Sequence, residues 1–185
     1  MRLSPNKASL AAILITTVIL SVLILVSGCL EIFETGPDHL LLQEVKITRV
    51  IDGDTAYALF PGGREEKVRF IGIDAPEINH PQKGMEHCGP EAEEYTRRHL
   101  EGRIVWLEFD LAERDQYERL LAYIWLNIPG DISYESTRTN MFNAVMLTEG
   151  YAVQVVFEPN VKYVDYFTAY EAEAKNNGKG LWELE

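Results

Sequence analysis

The fold of this chain is decided by two stretches, IDGDT at residues 51–55 and VRFIGIDAPE at residues 68–77. Asp-Gly is a strong signal for a tight turn between two β-strands, and apolar residues alternate with Arg69 as in a half-buried strand. Carboxylates and a guanidinium group therefore fall at strand ends and turns. Oxygen ligands suit Ca²⁺ or Mg²⁺, and a planar arginine suits a phosphodiester. The pattern predicts a metal-dependent phosphodiesterase.

Turn residues outside these stretches separate five short strands and three helices. The predicted strands are 45–51, 55–60, 67–73, 104–109 and 120–126, and the predicted helices are 90–100, 143–149 and 163–175. In the last helix aromatic residues recur at helical spacing, so this helix should pack on the sheet. The polar segment 132–140 is expected to be a surface loop. We therefore expect an α+β fold, a five-stranded Greek-key barrel of the OB type with about three packed helices.

The N-terminal residues predict an export signal. Arg2 and Lys7 precede an apolar run at 10–26, and Ser-Gly-Cys at 27–29 resembles the lipobox of prokaryotic lipoproteins, in which Cys29 carries the lipid. An uncleaved membrane anchor is the alternative, since the run is long for a signal peptide. Both interpretations predict an extracytoplasmic protein, membrane-anchored or secreted. The predicted organisation is a signal at 1–28, a tether at 29–41 and one domain at 42–185.

The chain is strongly acidic, with a net charge of −12 from 17 Lys and Arg against 29 Asp and Glu. Loss of the signal, which holds two of the cations, makes the remainder more negative still. Nucleic-acid binding normally draws on a positive field and on counterion release. The composition argues against tight, processive DNA binding, and it allows a nuclease whose local cations override the global repulsion.

Five motifs in order resemble those of the staphylococcal nuclease (thermonuclease) family. They are IDGDT at 51–55, VRFIGIDAPE at 68–77, HPQKGMEHCGPEA at 80–92, DQYERLLAYIW at 115–125 and GKGLW at 178–182. Each motif is weak alone, whereas five at compatible spacing are highly specific. The resemblance runs from about residue 45 to residue 182, and it implies a nuclease of OB-type fold that acts on DNA and RNA.

Taken by themselves, the carboxylates have simpler interpretations. Asp52-Gly53 could be only a hairpin turn, and residues 74–77 could be only a helix N-cap with its capping-box acid. The resemblance instead implies that Asp54 and Asp74 are the carboxylate ligands of Ca²⁺, with the backbone carbonyl of Ala75 as a third ligand. Family members usually carry Thr at this last position, and alanine keeps the carbonyl.

The resemblance also assigns the residues that act on the substrate. Glu77 matches the general base that activates water, and an outer position that only orients the water is the alternative. Arg69 and Arg119 match the two arginines that grip the scissile phosphate. Tyr117 matches a phosphate-contacting tyrosine, or it is an aromatic lid on the turn. Lys83 is the only Lys or Arg in the loop that follows Glu77, and it is a candidate substrate contact.

One departure from the family bears on the phosphate site. Family members commonly carry glycine before the second arginine, where this chain has Glu118. If that position needs a positive φ, glutamate is costly there. The glutamate charge also lies next to a phosphate-binding group. We expect a lower affinity for the substrate or a shifted Arg119.

The predicted function is that of a calcium-dependent, extracytoplasmic nuclease that acts as a monomer on DNA and RNA. The resemblance implies low sequence selectivity and products with 3′-phosphate ends. A non-catalytic nuclease-fold module that binds nucleic acid or protein is the alternative, although such modules typically lose the acids or arginines that this chain retains. A calcium-stabilised structural lipoprotein is a third interpretation, and it leaves both arginines without a role.

Overall fold

The computed structural model describes residues 41–78 and 84–183 of the chain. The predicted signal, the tether up to residue 40, the lipidation site Cys29 and the candidate substrate contact Lys83 lie outside these residues. Among the helices of the described part, none is both long and apolar enough to cross a membrane.

The centre of the fold is a closed barrel of five strands. The strands of the described residues are β1 (Leu42–Asp52), β2 (Thr55–Leu59), β3 (Glu65–Phe70), β4 (Ile73–Asp74), β5 (Ile104–Glu108), β6 (Leu120–Trp125) and β7 (Val153–Gln154). Five of them close the barrel in the order β1-β2-β3-β6-β5, and β4 pairs with β7 in a separate two-stranded sheet. The predicted five-stranded barrel of the OB type is confirmed.

Helices cover the outside of this barrel. They are α1 (Gly89–Leu100), α2 (Tyr134–Asn140), α3 (Phe142–Thr148) and α4 (Val164–Asn176), with a 3-10 turn at Gly180–Trp182. The three predicted helices match α1, α3 and α4 to within one residue at each end. The aromatic face predicted for the last helix is also confirmed, because Phe167 and Tyr170 of α4 are fully buried.

The prediction of a surface loop at residues 132–140 is wrong, because most of this segment forms α2. Its polar sequence lacks a continuous apolar stripe, and contacts with α4 supply the stabilisation instead. The Tyr134 ring packs on Tyr170 with the ring centroids 4.7 Å apart. Arg138 forms an ion pair with Glu173, and its Nε donates to Glu173 Oε2 at 3.0 Å. A short helix of this kind is held by tertiary packing rather than by intrinsic propensity.

The predicted turn at Asp52-Gly53 is confirmed as the hairpin between β1 and β2. Asp52 pairs with Thr55 in the strand register, and the Asp54 N–H donates to Asp52 Oδ1 at 3.1 Å. A Cβ atom at Gly53 would lie 2.5 Å from the Cβ of Ala75. Glycine is therefore required at this turn because the segment after β4 passes directly against it, and this contact brings Asp54 close to residues 74 and 75.

β3 and β6 pair in parallel, which brings two distant chain segments together. In this register Val68 lies opposite Leu120, and Arg69 lies opposite Leu121. Arg119 immediately precedes β6. The two arginines singled out from the sequence are therefore neighbours, Arg69 on β3 and Arg119 in the turn that leads into the adjacent β6.

Candidate active site

Arg69 lies near the end of β3 with its guanidinium group surrounded by oxygen atoms, and only 7% of the residue is exposed. Its Nη1 donates hydrogen bonds to the carbonyl oxygens of Phe70 at 3.1 Å and Ile73 at 2.8 Å. Its Nη2 donates to Asp74 Oδ1 at 2.8 Å, and Nη1 also lies 3.0 Å from Asp54 Oδ2. One guanidinium group thus joins the carboxylates of both candidate metal ligands.

Asp54 is the buried member of this carboxylate pair, with 5% of the residue exposed. Its Oδ2 accepts a hydrogen bond from the Ala75 N–H at 2.7 Å, and its Oδ1 accepts one from Thr55 Oγ1 at 3.0 Å. Burial, opposed by the charge of Arg69, raises the pKa of Asp54 to about 7. The site therefore holds less positive charge than the ionised carboxylate requires.

A hard cation fits the oxygen atoms at this place. Within the described residues, Asp74 Oδ2 and the carbonyl oxygen of Ala75 accept no hydrogen bond. Oxygen donors of this kind suit Ca²⁺, and a cation would also compensate the buried charge of Asp54. No group of three or more His, Cys, Asp or Glu side chains in residues 41–78 and 84–183 could hold a metal ion. A cation here would therefore depend on two carboxylates together with carbonyl and water oxygens.

Glu77 follows β4, and its side chain is exposed. Its backbone is fixed by Glu86 through two hydrogen bonds, because the Glu77 N–H donates to Glu86 Oε2 at 3.0 Å and the Glu86 N–H donates to the Glu77 carbonyl at 2.9 Å. The capping-box interpretation of residues 74–77 is wrong, since α1 begins only at Gly89. Within the described residues the Glu77 carboxylate has no ion pair or hydrogen bond, and it is open to solvent.

Arg119 lies in the turn before β6, where Asp115 holds it. Arg119 Nε donates to Asp115 Oδ2 at 2.6 Å, and the Arg119 N–H donates to Asp115 Oδ1 at 3.0 Å. Although partial burial acts to raise it, these hydrogen bonds lower the pKa of Asp115. The Nη atoms of Arg119 make no hydrogen bond within the described residues, so they can bind an anion.

Tyr117 lies at the surface of the same turn, with 70% of the residue exposed. Its ring centroid is 5.5 Å from the guanidinium carbon of Arg119. This position agrees with both interpretations of Tyr117, as a phosphate contact and as an aromatic lid on the turn.

A single cleft of about 410 Å³ joins the two arginines. Arg69, Arg119 and Tyr117 line it, together with Phe157, whose ring centroid lies 5.8 Å from the guanidinium carbon of Arg69. Arg69 also contacts both carboxylates, so it belongs to the cleft and to the carboxylate cluster at once. An anion in the cleft would meet two guanidinium groups beside a cluster suited to a cation.

Glu118 adopts a φ of +62°, and it is one of only two non-glycine residues in the described part of the chain with a positive φ. The condition raised from the sequence, that this position needs a positive φ, is therefore met. A residue with a Cβ atom loses about 1–2 kcal/mol in this conformation. The turn that presents Arg119 therefore carries backbone strain.

Sequence reasoning missed three residues of the site. Asp115 holds Arg119, Phe157 lines the cleft and Glu86 fixes the backbone of Glu77. An acid four residues before Arg119 was a usable signal, because turn aspartates often bond the backbone that follows them. Glu86 and Phe157 offered no comparable signal, since the fold alone brings them to the site.

Comparison with known proteins finds a matching family model and several similar sequences. A family model described as staphylococcal nuclease homologue matches residues 67–184. The chain is 36% identical over 140 residues to the thermonuclease of Staphylococcus hyicus, covering 76% of each chain. It is 36% identical over 137 residues to the thermonuclease of Staphylococcus intermedius, covering 74% of each. It is also 34% identical over 143 residues to endonuclease YncB of Bacillus subtilis, covering 76% of this chain and 62% of that protein.

Proposed function

This chain belongs to the staphylococcal nuclease family, and we propose from that membership and from the geometry of its site that it is a calcium-dependent nuclease. The proposed substrates are the phosphodiester bonds of DNA and RNA, cleaved with low sequence selectivity. One observation carries the proposal: Arg69 and Arg119 line the same cleft, and Arg69 also contacts Asp54 and Asp74. Phosphate-binding and cation-binding groups are thereby brought together.

The two arginines bind and stabilise the phosphate in this proposal. Arg119 keeps both Nη atoms for the substrate while its Nε is held by Asp115. Arg69 Nε makes no hydrogen bond within the described residues, whereas its Nη atoms are anchored to the protein. Two fixed guanidinium groups stabilise the negative charge that grows on the phosphate oxygens during attack, and their pre-organisation lowers the barrier.

Glu77 takes the proton of the attacking water. The water attacks phosphorus in line with the bond to the leaving 5′ oxygen. This oxygen takes a proton from solvent as its bond to phosphorus breaks, which yields a 3′-phosphate and a 5′-hydroxyl. The two hydrogen bonds to Glu86 limit the movement of the Glu77 backbone and so keep its carboxylate in position. Asp54, Asp74 and the Ala75 carbonyl would hold Ca²⁺, which supplies Lewis-acid stabilisation of the phosphate when it is bound.

We place this enzyme outside the cytoplasm, anchored at Cys29 or secreted, and acting as a monomer. The support is the sequence pattern of residues 1–29, namely two cations, an apolar run and Ser-Gly-Cys. A local, single-site mode of action also agrees with the acidic charge of the chain, which opposes extended contact with a polyanion.

The experiment is digestion of single-stranded DNA by the purified protein with Ca²⁺ and again with EDTA. The Glu77→Gln variant should lose about 10²–10⁴-fold in turnover, since it removes the base. Glu44→Gln, which changes an exposed acid on β1, is the matched control and should keep full activity. Normal cleavage by Glu77→Gln would contradict the assigned base.

The same assay separates the alternative function. A folded protein that binds single-stranded DNA but cleaves none of it with Ca²⁺, Mg²⁺ or Mn²⁺ would be a binding module. End-group analysis of the products then tests the finer proposal, because 5′-phosphate ends would contradict cleavage of the bond to the 5′ oxygen.

A further inference from the structure

The turn that carries Arg119 contains a carbonyl group, that of Glu118, to which the turn itself donates no hydrogen bond. Glu118 holds a φ of +62°, which residues with a Cβ atom rarely adopt. Inside the turn, the Glu118 N–H donates to the Asp115 carbonyl at 3.1 Å, and the Asp115 N–H donates to the Arg119 carbonyl at 3.1 Å. The Arg119 N–H, which belongs to the peptide group between residues 118 and 119, donates to Asp115 Oδ1 at 3.0 Å. No group of the turn donates to the Glu118 carbonyl on the other side of this peptide group.

Arg114 donates the hydrogen bond that the Glu118 carbonyl does not receive from the turn. Its Nη1 donates to the Glu118 carbonyl at 2.6 Å. The same guanidinium group forks onto Glu66, with Nη1 at 3.2 Å from Oε2 and Nη2 at 3.0 Å from Oε1. The hydrogen bond from Arg114 lowers the pKa of Glu66. Because Glu66 belongs to β3, Arg114 ties the turn to a strand of the barrel.

We propose that Arg114 is a positioning residue for Arg119, because it pins the strained Glu118 carbonyl to Glu66 on β3. The peptide unit between residues 118 and 119 is planar. Fixing the carbonyl therefore fixes the backbone from which the Arg119 side chain extends into the cleft. The proposal rests on the proposed function, since it takes Arg119 to be a phosphate-binding group.

Arg114 also lines the cleft, so direct contact with the substrate is the competing role. Both of its Nη atoms are already engaged by Glu66 and Glu118, which favours positioning. The two roles differ in one measurable respect. Glycine adopts a positive φ without strain, so a positioning arginine becomes dispensable once residue 118 is glycine, whereas a substrate contact does not.

The test is a double-mutant cycle with R114A and E118G, assayed on a single-stranded oligonucleotide with Ca²⁺. With Glu118 in place, R114A should lower kcat about tenfold, the loss expected for one charge-assisted hydrogen bond that positions a catalytic group. In the E118G background, R114A should change kcat less than about twofold, because glycine adopts the positive φ without strain and the turn no longer needs the hydrogen bond from Arg114. KM should change little in either background.

Arg64 provides the matched control. It is exposed and its Nη1 lies 3.1 Å from Oε1 of the same Glu66, but it makes no hydrogen bond to residues 115–119. R64A therefore removes a cation from the same carboxylate without touching the turn, and kcat should stay unchanged in both backgrounds. An equal loss in R64A and R114A would replace the positioning role by a general charge effect.

Two further outcomes would overturn the proposal. An equal loss of activity by R114A in both backgrounds, with a raised KM, would make Arg114 a substrate contact. Full activity of R114A with Glu118 in place would show that Asp115 alone positions Arg119.

Equilibrium unfolding in urea separates failure of this proposal from failure of the proposed function. R114A should raise the unfolding equilibrium constant about fivefold with Glu118 in place and much less in the E118G background. If neither the wild type nor any variant cleaves DNA, the nuclease proposal fails. The unfolding measurements on the same four proteins still decide whether Arg114 holds the turn. Equal effects of R114A on the unfolding equilibrium constant in both backgrounds would contradict a role of Arg114 in holding the Glu118 carbonyl.

Discussion

Two arginines line one cleft, and the molecule holds them in opposite ways. Arg69 is buried on a barrel strand, where oxygen atoms of Asp54, Phe70, Ile73 and Asp74 surround its guanidinium group. Arg119 is partly exposed on a turn, and Asp115, four residues earlier in the same turn, holds its Nε. Long-range packing fixes the first arginine, and local loop geometry fixes the second.

This difference teaches that the same chemical group can have different costs to the fold. Removal of Arg69 leaves a buried carboxylate without its cation, which is strongly destabilising. Removal of Arg119 breaks one partly solvated ion pair, and such pairs contribute little to stability. Stability and activity should therefore separate at Arg119 and fall together at Arg69.

The largest changes in kcat and in stability are expected from the two substitutions Arg69→Ala and Arg119→Ala. Each should lower kcat at least about 100-fold, because each removes a group that stabilises the developing phosphate charge. Arg69→Ala should also lower the free energy of unfolding by about 3–5 kcal/mol, whereas Arg119→Ala should lower it by less than about 1 kcal/mol. Urea unfolding and turnover of single-stranded DNA measure both. Equal destabilisation by the two variants would remove the distinction between the two ends of the cleft.

Calcium should act at the Arg69 end alone. At a free Ca²⁺ concentration about 100 times Kd, the free energy of unfolding should rise by about 2.7 kcal/mol. This increase should vanish in Asp54→Asn and persist in Arg119→Ala, since Asp54 is a candidate ligand and Arg119 is not. Asp165→Asn, an exposed acid on α4, is the control. A calcium-dependent increase that survives in Asp54→Asn would place the cation elsewhere.

The smallest effect concerns the strained turn at the Arg119 end. Glu118→Gly should raise the free energy of unfolding by about 1 kcal/mol, because glycine relieves the left-handed strain. It should also tighten binding of single-stranded DNA, since it removes a negative charge next to Arg119. Glu113→Gly removes the same charge from the same loop at a position without a positive φ. That control should lower stability slightly, and equal stabilisation by both variants would contradict the strain.

The barrel was predictable because its signals are local. The Asp-Gly turn of residues 52–53 and the alternation around Arg69 both follow from short-range sequence. Helix α2 was missed because its sequence YESTRTN has no apolar period, and Tyr134 and Arg138 find their partners only on α4. Ser133 was the one local signal, since its side chain caps the helix by accepting a hydrogen bond from the Ser136 N–H.

The candidate site was predictable in its residues but not in their partners. Motif resemblance singled out Asp54, Arg69, Asp74 and Arg119, and the structure brings the first three into direct contact. The resemblance does not predict the hydrogen bonds between Glu86 and Glu77 or the phenyl ring of Phe157 beside Arg69, because these contacts depend on how the loops pack. The sequence raised the positive φ of Glu118 only as a condition, because family members commonly carry glycine at this position.

The parallel register of β3 and β6 sets the spacing of the two arginines across the cleft. The distance between the two guanidinium groups is set by the pairing of Arg69 with Leu121 rather than by the length of chain between them. Residues inserted at the exposed turn around Gly102, between α1 and β5, would leave this register unchanged. One residue inserted within β3 would turn Arg69 to the opposite face of the strand. The architecture thus tolerates growth at this connection, whereas one residue added within β3 would remove the Arg69 side chain from the cleft.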